Sequence, residues 1–201
     1  MKKILKDTFI SCIPISPGNR PELWRQLEEA LKHKPDFIEW RRDFFEDLSL
    51  EEEKNILMKI KSIRGETGLI YTFRNVNEGG DHFVKENDRL PYILGCMDCQ
   101  GADYIDIEVK SSDAFKNEVR KNKKEDQCGL IFSSHYFDWV PSNKEIDSVL
   151  EVMNNEKADV LKLAMMPENE ADVRRCLSHM IEKDQIFEKL MWSHIGITSP
   201  V

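Results

Sequence analysis

A chain of 201 residues, 40% apolar and 33% charged, can bury one sizeable core as a single domain. Its formal charge of −8, with acidic and basic residues interspersed and no basic patch among aromatics, argues against a nucleic-acid or anionic-membrane partner. No apolar run approaches the ~18 residues of a membrane helix, and Met1-Lys2-Lys3-Ile4-Leu5-Lys6-Asp7 lacks a signal-peptide core, so a cytoplasmic location is expected. Five cysteines (Cys12, Cys96, Cys99, Cys128, Cys176) without a secretory context read as reduced thiols. Cys96-Met97-Asp98-Cys99 has a redox or metal-like spacing, yet no second Cys or His pair accompanies it. Its place in a helix favours two incidental cysteines.

Short apolar runs alternate with longer amphipathic ones. Strands are expected at Phe9–Ile15, Asp36–Trp40, Leu69–Phe73, Asp103–Val109, Gly129–Ser133, Asp159–Ala164 and, weakly, Lys189–Ser193. Helices are expected near Arg20–His33, Leu50–Ile63, Val84–Gln100, Asp113–Asn122, Asn143–Asn154 and Glu168–Lys183. A cap followed by glutamate at the third position marks three starts: Asn19 with Glu22, Ser49 with Glu52, and Ser142 with Glu145. Such alternation signals repeated βαβ units and a parallel sheet, with no linker or low-complexity segment to split it.

The strand faces choose between an open sheet and a barrel. Positions two apart share a face. That places Phe37, Glu39 and Arg41 together, then Thr72 with Arg74, Asp106 with Glu108, Ser133 with His135, and Val160, Lys162 and Ala164. Five consecutive strands thus carry polar groups on one face near their C-terminal ends. A (β/α) barrel puts its active site at that mouth, whereas an open sheet covered on both faces by helices would rarely do so.

Lys162 sits in the apolar middle of Asp159–Ala164. A charged ammonium there is costly to desolvate, so it must pair, snorkel to water or lose its proton. A neutral amine is a nucleophile towards carbonyls. His135 falls on the neighbouring strand, and a histidine near neutral pKa can move protons beside an iminium. Glu78, in the turn Asn77-Glu78-Gly79-Gly80, could orient that imidazole. Taken singly, a snorkelling lysine and a hydrogen-bonded strand-end histidine explain both residues as well. No His/Asp/Cys spacing resembles a metal site, and no glycine-rich nucleotide fingerprint appears, so no metal or cofactor is expected.

Together, Glu39-Trp40-Arg41-Arg42-Asp43, Thr72-Phe73-Arg74 with Glu78-Gly79-Gly80, Tyr104-Ile105-Asp106-Ile107-Glu108, Ser133-Ser134-His135 with Phe137, and Lys162-Leu163-Ala164-Met165-Met166-Pro167 resemble type I 3-dehydroquinate dehydratase in order and spacing. The resemblance covers about residues 9 to 199. It implies a metal-free lyase of the shikimate pathway on a (β/α)8 TIM-barrel, dehydrating the small molecule 3-dehydroquinate to 3-dehydroshikimate. It implies Lys162 as Schiff-base nucleophile, His135 as proton carrier and Glu78 as the holder of its ring. Glu39, Arg41 and Arg74 would bind substrate hydroxyls, with Asp106 and Glu108 as partners holding the arginines.

The chain departs from that pattern in places. Tyr136 follows the histidine where the family usually has an acidic residue, and Pro14 stands where some members place a serine. Met191–Pro200 resembles the family's seventh strand and following turn, with Ser193, Gly196 and Ser199 in register. Pro200 stands where the family carries the arginine that holds the substrate carboxylate, and Val201 is the last residue. The expectation is therefore a single incomplete barrel of about seven strands over residues 1–201, lacking the eighth strand, the last helices and the covering loop. Its edge strands would invite pairing with another chain, a homodimer being one such form. Loss of a carboxylate partner would weaken binding by about 2–5 kcal/mol. An alternative of another class is a non-catalytic ligand-binding or assembly remnant of the same scaffold, which would form no imine.

Overall fold

The computed structural model describes residues 1–4, 10–124, 127–184 and 190–194. Strand and helix alternate throughout: β1 (Cys12–Ile15), α1 (Arg20–Lys32), β2 (Phe37–Arg41), α2 (Leu50–Ile63), β3 (Gly68–Thr72), α3 (Glu86–Asp98), β4 (Tyr104–Glu108), α4 (Asp113–Asn122), β5 (Gly129–Tyr136), α5 (Asn143–Asn155), β6 (Val160–Met165), α6 (Glu170–Asp184) and β7 (Leu190–His194). Short 3₁₀ turns follow β2 (Arg42–Phe44) and β3 (Val76–Glu78). Among the described residues no helix is long and apolar enough to cross a membrane.

The helix starts obey local chemistry. Ser49 and Ser142 each accept from the backbone N–H of a glutamate three residues on, and that glutamate accepts in return. Asn19 likewise accepts from Glu22 N at 3.1 Å, but Glu22 turns its carboxylate to Gly18 N instead. Such caps satisfy N–H groups that a helix leaves open, each contributing about 1 kcal/mol.

Two compact units divide the chain: Met1–Ile107 with Ser111–Leu130, and Glu108–Lys110 with the residues from Ile131 onward. In the first unit β1, β2, β3 and β4 pair in parallel. One face carries Ile38, Trp40, Leu69, Tyr71, Ile105 and Ile107, all buried. The helical stripes Leu23, Leu27, Ala30 of α1 and Ile56, Leu57, Ile60 of α2, spaced three and four apart, are buried too.

The other face, set by the register Phe37↔Gly68, Glu39↔Ile70, Arg41↔Thr72 and Thr72↔Asp106, has aromatic rings at the strand starts and polar groups at the strand ends. Glycine makes room for the rings. A Cβ on Gly68 would lie 2.3 Å from Phe37, and one on Gly129 would lie 2.3 Å from Tyr104. Phe37 and Tyr104 meet edge to face, centroids 5.8 Å apart.

In the second unit β5, β6 and β7 also pair in parallel. Helix α5 buries Ile146, Leu150 and Met153, and Asp147 accepts from Lys183 of α6 at 2.9 Å and lies 2.8 Å from His179 Nε2.

Several boundaries differ from expectation by one to three residues, that of β5 among them. β5 continues through His135 to Tyr136 because β6 supplies ladder partners up to Met165. An Ser-Ser-His run carries no apolar signal of its own. β1 begins at Cys12 and β7 at Leu190, while Phe9 and Lys189 lie outside the described residues, as do Gly196, Ser199 and Pro200.

Candidate active site

In the first unit, β2 and β3 present Glu39, Arg41, Thr72 and Arg74 at their C-terminal ends. Thr72 Oγ1 donates to Glu39 Oε1 at 2.7 Å. Arg74 is buried and donates from both terminal nitrogens to the two oxygens of Asp106, each at 2.9 Å, with Glu39 at 3.9 Å. Such a bidentate pair fixes the guanidinium plane and offsets part of its desolvation.

Arg41 is held differently from the sequence expectation. Its Nε and Nη2 donate to Asp43 at 3.0 and 2.8 Å, and Nη2 also donates to the Gly79 carbonyl at 2.7 Å. Asp43, wholly buried, is the residue that sequence reasoning missed. The 3₁₀ turn after β2 brings its carboxylate back beside Arg41. Two-residue alternation already placed it on that face, but the expected strand stopped at Trp40.

Glu78 lies on the turn after β3. The Asn75 side chain accepts from Asn77 N at 2.9 Å and opens the turn; Gly79, at φ +83°, closes it in the left-handed region that suits glycine. Glu78 itself is 4% exposed.

The second unit carries Lys162 and His135. Lys162 is 7% exposed at the middle of β6. The parallel register pairs Ser133 with Lys162 and His135 with Ala164, so lysine and histidine share one face of adjacent strands, two register positions apart. The Phe137 ring stacks near-parallel on the imidazole, centroids 6.0 Å apart. Tyr136, at the position noted above as a departure from the family pattern, lies under Lys110 Nζ at 5.0 Å and edge-on to Trp139. The polar set thus forms two constellations: Glu39, Arg41, Arg74 and Glu78 in one unit, His135 and Lys162 in the other.

The cysteine pair belongs to neither. Cys96 lies in α3 and Cys99 caps it, and burial pushes both thiols upward, which makes the reactive thiolate scarce. Among the described residues no group of three or more His, Cys, Asp or Glu could hold a metal ion.

Comparison with known proteins gives these constellations a context. The family model for type I 3-dehydroquinase matches residues 11–188. The 3-dehydroquinate dehydratase of Clostridioides difficile is 32% identical over 177 residues, covering 88% of this chain and 69% of that protein. That of Bacillus velezensis is 28% identical over 162 residues, covering 80% of this chain and 64% of its own length. The chain thus spans about two thirds of these relatives. The crystal structure of the C. difficile type I enzyme superposes with a TM-score of 0.85 at 29% identity, over 96% of this chain and 78% of that one. The fold class is accordingly that of an incomplete (β/α) TIM-type barrel, and the chain belongs to the type I 3-dehydroquinase family.

Proposed function

We propose that this chain carries the reacting groups of a 3-dehydroquinate dehydratase that works through a lysine Schiff base. Lys162 Nζ adds to the substrate ketone, and loss of water leaves an iminium. His135 takes a proton from the adjacent carbon; the released pair forms a carbon–carbon double bond as the C=N π pair moves onto nitrogen, giving an enamine. The enamine expels the hydroxyl one carbon further on, and His135 returns its proton so that water departs. Hydrolysis of the remaining iminium frees 3-dehydroshikimate and restores the amine. Lysine, histidine and water account for every bond made and broken. Glu78 orients the imidazole, and Glu39, Arg41 and Arg74 bind the substrate's hydroxyls.

The observation that carries this reading is the β5–β6 register, which sets a buried lysine and a histidine two register positions apart on one face. Membership of the family supports the substrate. Borohydride trapping with 3-dehydroquinate tests it. The adduct mass should appear on Lys162, vanish in Lys162→Ala, and persist in His135→Ala while turnover is lost. Binding of 3-dehydroquinate without any adduct on Lys162 would overturn the lyase reading in favour of a ligand-binding scaffold.

A further inference from the structure

We infer that Asp43 is the positioning residue of the substrate-binding half of the site, holding Arg41 and both ends of the Glu78 loop; this rests on the dehydratase reading. Its two oxygens take four hydrogen bonds from three chain segments. Oδ1 accepts from Arg41 Nε at 3.0 Å and from the Arg74 backbone N–H at 3.3 Å. Oδ2 accepts from Arg41 Nη2 at 2.8 Å and from the Asp81 backbone N–H at 3.1 Å. A carboxylate has about four acceptor positions, so this one is fully used.

The segment between the two backbone donors, residues 74–81, carries Glu78. It is tied inwardly as well: Glu78 N and Gly80 N both donate to the Asn75 carbonyl, at 2.9 and 3.0 Å. Arg41 closes the ring by donating to the Gly79 carbonyl. Room is tight, since a Cβ on Gly80 would lie 2.4 Å from the Arg74 carbonyl oxygen. One buried carboxylate therefore sets the direction of the Arg41 guanidinium and the anchorage of the loop. Asparagine cannot replace it: one acceptor oxygen becomes an NH₂ that faces other donors.

The test compares wild type, Asp43→Asn, Arg41→Ala and the double variant. Asp43→Asn should raise KM for 3-dehydroquinate roughly 10- to 100-fold, with a smaller fall in kcat, as expected for a misdirected charge-assisted donor. In the Arg41→Ala background the same change should raise KM only a few-fold, because the group it acts through is gone. Additive KM effects, or an unchanged KM in Asp43→Asn, would overturn the proposal. Hydrogen exchange at the Arg74 and Asp81 amides should accelerate at least 10-fold in Asp43→Asn. Unchanged exchange there overturns the proposal whatever the chemistry. Should wild type neither trap nor turn over, the dehydratase reading falls, and exchange alone decides whether Asp43 is the clamp. If Asp43→Asn does not fold, Gly80→Ala disturbs the same loop from its other side and should give the same KM rise; no rise would count against the clamp.

Discussion

Arg41 and Arg42 are neighbours in sequence and lie in opposite kinds of environment. Arg41 remains 20% exposed at its side chain, reaches the polar strand ends and shares Asp43 with two backbone donors. Arg42 is 4% exposed and bonds Glu53 of α2 and the Phe45 carbonyl. Its guanidinium lies over the rings of Phe45, Phe73 and Tyr92, at 5.7, 5.2 and 5.4 Å. The Tyr71 hydroxyl donates to the other oxygen of Glu53. Burial, then the Glu53 charge, pushes that hydroxyl's pKa well up, so it stays a donor. For Arg42, burial works to lower the pKa, the Glu53 charge raises it, and the net shift is upward. A buried ion pair thus does not by itself mark a site. Between these two neighbours access decides: Arg41, left partly open, can meet a ligand, and the sealed Arg42 serves the fold.

A matched pair of isosteric changes sharpens that contrast. Glu53→Gln should carry the largest effect. Its single remaining oxygen cannot serve both Arg42 and Tyr71, and a buried guanidinium loses its counter-charge, so unfolding free energy should drop by about 3 kcal/mol. Denaturant titration measures it; a loss under about 1 kcal/mol would put Arg42 and Glu53 among ordinary surface pairs. Glu39→Gln is the counterpart on the open face. Thr72 keeps an acceptor there, so the same titration should move by less than about 1 kcal/mol. The concentration of 3-dehydroquinate giving half-maximal trapping should instead rise about 10-fold. If Glu39→Gln lost more stability than Glu53→Gln, access would not be what separates the two faces.

Much of this was legible in the chain itself, for physical reasons. Period-two alternation separates the two faces of a strand directly, so Phe37, Glu39 and Arg41 could be assigned to theirs. Capping pairs are short-range, and Ser49 with Glu52 needed only three residues to be recognised. What escaped depends on partners distant in sequence. β5 reaches Tyr136 only because β6 is there to receive it. The Arg42–Glu53–Tyr71 network joins the turn after β2, helix α2 and strand β3, and none of the three residues signals the others. Asp43 escaped because its role is set by a turn that brings Arg74 and Asp81 to it.

The smallest expected effect lies on neither face, at the start of α2, and it gives the comparison a surface control. Glu52 accepts from the Ser49 hydroxyl and backbone N–H and from Arg20, and these bonds lower its pKa from 4.5 to about 2. A carboxyl whose folded pKa is depressed stabilises the protein above its unfolded value and loses that contribution as pH falls through the folded one. The contribution should therefore be whole above about 5 and fade between about 4.5 and 2. Glu52→Gln keeps a capping amide without the titration. Wild type and variant, unfolded by denaturant across pH 2 to 6, should differ most at the upper end and converge towards the lower. A gap that stayed constant with pH would mean that the Ser49 and Arg20 contacts do not favour the ionised carboxylate.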